Sequence, residues 1–193
     1  MEVEDGWYNV DAGPTALLGS RKFTFINKIL YGISGTSVHY TFERYNRIIK
    51  EIGLYFHDLR RGLPFNDNSV DVIYHSHFLE HLYKEDAEKF LKECYRILKP
   101  GGLMRVVVPD LEVVLEMFKD GDKEKILESY FFKPYEYIFS GHKYMYDFAM
   151  LKKELDGVVF KEIVKQSCSV GACPNTNSLD VGTFESLYVE CRK

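Results

Sequence analysis

No uninterrupted apolar run in this sequence approaches the ~18 residues a membrane span requires, because charged residues break every hydrophobic stretch. The opening stretch, Met1 to Asp11, lacks the basic and apolar blocks of a signal peptide. Basic residues are not in excess: 25 Lys and Arg stand against 29 Asp and Glu, for a formal net charge of −4. That balance gives no clear nucleic-acid signal, since a dedicated binder carries a basic surplus. Cysteine is scarce. Cys94, Cys168, Cys173 and Cys191 form no C-x-x-C pair, which removes the spacing of a zinc or redox motif. Reduced, partly buried thiols in a cytoplasmic protein are expected, with no disulfide framework. No internal repeat, low-complexity tract or Pro/Gly/Ser linker divides the chain.

What is present fits one globular domain over residues 1–193, long enough to bury roughly 70% of its unfolded surface. Ala87, Phe90, Leu91, Cys94, Ile97 and Leu98 recur three and four apart and predict a helix over 84–98. Lys99-Pro100-Gly101-Gly102 stops it, since proline cannot continue a helix and glycine accepts left-handed geometry. Strands are predicted on either side, over 70–74 and over the β-branched run 103–108, making a βαβ unit. The alternation extends to a helix over 41–52, a short strand over 54–57, a helix after Asp110 and a helix over 147–156. Strands over 160–166 and 186–191 close the chain. In the last, Leu187, Val189 and Cys191 alternate with Tyr188, Glu190 and Arg192. The class is α/β: a Rossmann-like, mostly parallel sheet with flanking helices and a C-terminal antiparallel strand pair.

Open α/β sheets bind ligands beyond the carboxyl ends of their strands. The polar residues predicted there are Asp11, Asp58, His75-Ser76-His77 and Asp110. A carboxylate at such an end accepts from vicinal ribose hydroxyls or an exocyclic amine. Any one of them alone is more often a turn former or a helix cap.

Several segments together resemble the class I S-adenosylmethionine-dependent methyltransferases of the type 11 kind. Asp58 and Leu63-Pro64-Phe65-Asn66-Asp67-Asn68-Ser69-Val70-Asp71 are similar to the segment joining that family's third and fourth strands. Ser76-His77-Phe78-Leu79-Glu80-His81-Leu82 continues the likeness, and Arg96-Ile97-Leu98-Lys99-Pro100-Gly101-Gly102 matches the family's R-x-LKPGG helix end. The clear resemblance covers about residues 54–112, with weaker support at 6–11 and 142–193. Gly6-Trp7-Tyr8-Asn9-Val10-Asp11 is similar to the second-strand segment of one subgroup. In that register the glycine-rich first motif and its strand are expected to be missing. A second register takes Tyr8 to Pro14 as that motif, with Asp11 where its first glycine belongs.

The resemblance implies S-adenosylmethionine as cofactor and methyl transfer as the reaction. Asp11 would hold the ribose hydroxyls, Asp58 would accept from the adenine amine, and the Leu59 backbone would meet the adenine edge. Ser76 and His77 would lie by the methionine part. Where an acceptor must lose a proton, His77 is the first candidate base, with His81 and His142 behind it. The acceptor is unidentified; small molecules, glycans and lipid-like molecules all suit an aromatic-rich insertion at about 122–146. The alternative is a degenerate, non-catalytic methyltransferase-like domain acting as a binding or subunit protein. An unpaired inner sheet edge would favour a homo-oligomer.

His77-Phe78-Leu79-Glu80-His81 also spells H-x-x-E-H, the inverted zinc-peptidase motif. So short a pattern matches by chance often, and it sits here inside the methyltransferase-like block. Some quinone-pathway methyltransferases of the resembled family carry a metal-binding E-x-x-E-H at this place; here His77 replaces its first glutamate, no metal is assigned, and Glu80 and His81 are read as starting the following helix.

Overall fold

The computed structural model describes residues 7–11, 14–18, 23–33, 41–52, 54–131, 141–180 and 184–193. The chain divides into two compact units, Met1–Pro64 and Phe65–Lys193.

In the first unit, β1 (Asn9–Asp11) and β2 (Leu54–Phe56) pair in parallel, with Asn9 opposite Leu54 and Asp11 opposite Phe56. Among the described residues, three α-helices lie between them in sequence: α1 (Pro14–Leu18), α2 (Thr24–Ile33) and α3 (Phe42–Arg47). The helix expected over 41–52 is split. Thr41 caps α3 through its hydroxyl, which accepts from the Arg44 amide, and the chain then widens into a π-helical turn, Ile48–Ile52. The apolar face holds all the same: Leu30, Tyr45 and Ile49 form a buried cluster, with Ile26, Tyr31 and Phe42 packed against it. Gly53, the expected stop, lies outside the described residues.

The second unit is built on β3 (Val70–Ser76), α4 (Lys84–Ile97) and β4 (Leu98–Pro109), the expected βαβ. After them come α5 (Leu111–Asp120), α6 (Lys123–Tyr130), α7 (Phe148–Gly157), β5 (Lys161–Gln166), α8 (Thr176–Leu179) and β6 (Ser186–Arg192). The strand order is β3-β4-β6-β5, with β3 and β4 parallel and β6 antiparallel to both of its neighbours. The C-terminal strand thus inserts between β4 and β5.

The α4 stripe is buried as its spacing predicts, through Ala87, Phe90, Leu91, Cys94 and Ile97. Each large member contributes roughly 1.5–3 kcal/mol by leaving water. The Lys99–Gly102 stop is a break in strand register: Val70 faces Leu98, while Val72 already faces Leu103. Gly101 sits at φ +75°, and a Cβ on Gly102 would lie 2.8 Å from the Lys99 carbonyl oxygen. Only glycine fits that path without strain.

Within the aromatic-rich stretch, residues 132–140 lie outside the described part. The rest holds α6, a helix the sequence pattern did not single out. Val114, Ile126 and Met145 form a buried cluster there, with Tyr130 and Phe131 packed against it. Asp147 caps α7 by accepting from the Met150 amide at 2.7 Å. Asp147→Ala is expected to cost about 1 kcal/mol, read as a lower urea midpoint at unchanged slope.

Candidate active site

Asp11 ends β1 and Asp58 follows β2, so both carboxylates stand at the carboxyl end of one parallel strand pair. The chain leaves that end in a tight path: the His57 amide donates to the Asp11 carbonyl at 3.1 Å, and a 3-10 turn, Leu59–Arg61, follows Asp58. Both carboxylates are half-buried, and Asp58 faces the Arg61 guanidinium at 3.7 Å. Carboxylates at strand ends are acceptors of the kind that ribose hydroxyls and an adenine amine require. The residues fit the adenosine part of S-adenosylmethionine.

A second group gathers at the carboxyl end of β3. Strand alternation puts Ser76 on the face that carries Tyr74, whose hydroxyl donates to the Leu179 carbonyl at 2.7 Å. His77 takes a left-handed conformation, φ +49°, which costs about 1 kcal/mol for a non-glycine residue and turns the chain off the strand. Its amide still donates to the Val107 carbonyl, so the turn begins in register with β4. The His77 side chain lies between two oxygens: Nδ1 is 3.3 Å from Glu80 Oε1, and Nε2 is 3.4 Å from the Ser186 hydroxyl. The Glu80 contact is at ion-pair distance without a hydrogen bond.

Glu80 and His81 do not start α4, contrary to expectation. They occupy a separate 3-10 turn, Leu79–His81, and extended backbone at Leu82 and Tyr83 delays the helix to Lys84. The turn is pinned from sixty residues away. The Glu80 carbonyl accepts from the amides of Lys143 and Tyr144, at 2.7 and 3.2 Å. That pairing brings His142 to His81, with ring centroids 5.0 Å apart. His77, His81 and His142 are therefore grouped around Glu80, whose side chain is fully buried. Sequence reasoning missed Glu80 as the centre of this group. The signal was an acidic residue amid an apolar run, readable only once the turn's burial is known.

Buried groups nearby have shifted titrations. Burial pushes His75 down to about 4, partly offset by the charge of Glu80, so it is a neutral core residue packed edge-on against Phe90. Burial raises Tyr130 to about 12, and Glu185 adds to the shift. Asp110 follows the cap reading: it accepts from the Glu112 amide at 3.1 Å and pairs with Lys165 at 3.0 Å.

Residues 31–106 match the profile of a family described as a methyltransferase domain. A Mycolicibacterium smegmatis protein named as a probable S-adenosylmethionine-dependent methyltransferase is 42% identical over 57 residues, covering 28% of this chain and 21% of its own. Part of this chain is thus similar to S-adenosylmethionine-dependent methyltransferases. Malonyl-[acyl-carrier protein] O-methyltransferase 1 of Coxiella burnetii is 42% identical over 65 residues, 32% of this chain and 22% of that one. The matched segments thus span about a fifth of the length of these relatives. The crystal structure of a Thermotoga maritima S-adenosylmethionine-dependent methyltransferase superposes with a TM-score of 0.51 at 17% identity. It covers 79% of this chain and 69% of that one, so the methyltransferase fold is shared well beyond the matched sequence. Among the described residues, no helix is long and apolar enough to cross a membrane.

Proposed function

We propose that this chain transfers a methyl group from S-adenosylmethionine to an acceptor. The observation that carries the reading is the pair of half-buried carboxylates, Asp11 and Asp58, at the carboxyl end of adjacent parallel strands in a chain whose residues 31–106 match a methyltransferase-domain profile. Asp11 accepts from the ribose hydroxyls, Asp58 accepts from the adenine amine, and the Leu59 backbone lies along the adenine edge. Ser76 and His77 serve the methionine end. The bound cofactor supplies a methyl group already activated on a sulfonium. The protein's residues align the acceptor and exclude water. His77 takes the proton of an acceptor that must lose one, its ring lying between the Glu80 carboxylate and the Ser186 hydroxyl. His81 and His142 lie behind it. A cytoplasmic location accords with four free cysteines.

Calorimetric titration with S-adenosylmethionine tests this. Saturable binding is expected, weakened by roughly 1–3 kcal/mol in Asp58→Ala, the cost of an unmet polar contact. No heat at millimolar cofactor, or unchanged affinity in a folded Asp58→Ala protein, would sink the assignment.

A further inference from the structure

We propose that Glu80, His81 and His142 form a binding site for a first-row divalent cation of the zinc type. One ligand atom from each of the three residues lies within 4.8 Å of the other two. Two imidazoles and one carboxylate are a donor set that zinc takes in three-ligand sites, leaving a coordination position open to water or to a substrate oxygen. Adjacent residues 80 and 81 alone give no metal-ligand spacing. The third ligand comes from the amide pairing of residues 143 and 144 with the Glu80 carbonyl.

Two independent features aim the group at a cation. The Glu80 side chain is fully buried, and neither carboxylate oxygen has a hydrogen-bond partner. Two histidines lie within ion-pair distance of it, His77 at 3.3 Å and His81 at 3.9 Å, and they carry charge only when protonated. A buried carboxylate in that state is costly, and a bound cation discharges it. Second, His81 Nδ1 donates to the Gly141 carbonyl at 3.4 Å, which leaves the Nε2 lone pair directed toward Glu80. A backbone carbonyl behind a ligating imidazole sets its tautomer and orientation in just this way. Tetrahedral coordination at zinc–ligand bonds near 2 Å needs ligand atoms roughly 3.4 Å apart, so binding draws the three side chains inward by small rotations.

The site stands on metal content, not on methyl transfer, so its test is separate from that of the cofactor. The full chain, stripped with EDTA and titrated with zinc chloride in a calorimeter, is expected to bind one equivalent at micromolar concentration or below. His142→Ala and His81→Ala should each weaken binding at least tenfold, whereas Cys168→Ser, removing an exposed thiol that could compete for zinc, should leave it unchanged. Circular dichroism checks that the variants are folded. Glu80→Gln adds a third ligand test, and the two histidine variants carry the result if that buried replacement does not fold. Absence of stoichiometric zinc binding overturns the proposal, and so does binding that survives in both histidine variants.

Discussion

Arg105→Met is expected to lower the unfolding free energy by about 3–5 kcal/mol, the usual cost of breaking a buried ion pair from one side. Arg105 is fully buried at the middle of β4, directly opposite Glu190 of β6. All five of its guanidinium hydrogens are used. Nε and Nη2 grip Asp180, Nη1 donates to Glu190 and the Val170 carbonyl, and Nη2 also donates to the Ser167 carbonyl. Burial opposes the charge, but hydrogen bonds and the charges of Asp180 and Glu190 outweigh it and hold the guanidinium protonated. The two acids have further work: Asp180 accepts from the Ser169 amide, and Glu190 accepts from the amides of Ala172 and Cys173. Gly171 lies so close that a Cβ there would strike the Glu190 carboxylate. The network thus fastens residues 167–180 over one face of the sheet.

Two comparisons sharpen that expectation. Arg105→Lys should recover little, because an ammonium cannot reproduce a planar fork with five donors. Replacing Arg105, Asp180 and Glu190 together by apolar residues should also stay destabilised, since three backbone amides would lose their acceptors. Denaturant unfolding reads all three variants. A wild-type midpoint for Arg105→Met would show that the buried network contributes nothing net.

The second large effect is an acid sensitivity set by His75. Its pKa is about 4 in the folded protein against 6.5 when unfolded. The unfolded chain therefore binds the proton first as pH falls, and stability declines in that direction. The full contribution is present above pH 6.5. It is lost progressively between 6.5 and 4, by up to about 3 kcal/mol, and changes no further below that window. His75→Leu keeps an apolar group against Phe78 and Phe90 and removes the titration. Unfolding curves at pH 7.0, 5.5 and 4.5 should show a decline in the parent protein that is smaller by that amount in the variant. An equal decline in both would assign the acid sensitivity to other groups.

Much of this molecule is legible in its residue order because the deciding interactions are local. The α4 stripe, its proline-glycine stop, the Asp110 and Asp147 caps and the β-branched β4 strand each depend on neighbours within a few positions. The family likeness over the β3–α4–β4 segment rests on the same short-range signals. The π-helical turn after α3 was not legible, because a one-residue widening of the helix leaves the apolar spacing almost unaltered. The alternation in β6 was legible but misleading as to environment: Tyr188 and Glu190, on its polar face, are buried as well.

The sequence by itself determined the βαβ unit, the helices α5 and α7, the C-terminal strands β5 and β6, and the acids and histidines that stand at strand ends. The tertiary structure alone decided three things. It placed β6 between β4 and β5, roofed the polar face of that strand by tying residues 167–180 to Arg105, and brought His142 to Glu80 and His81. Apart from the β5–β6 pairing, whose partners are 22 to 31 positions apart, each of these joins residues about sixty or more positions apart. Local propensity and periodicity reach a few residues along the chain; which distant segments meet depends on how the buried surfaces and backbone hydrogen bonds of the whole unit are satisfied together.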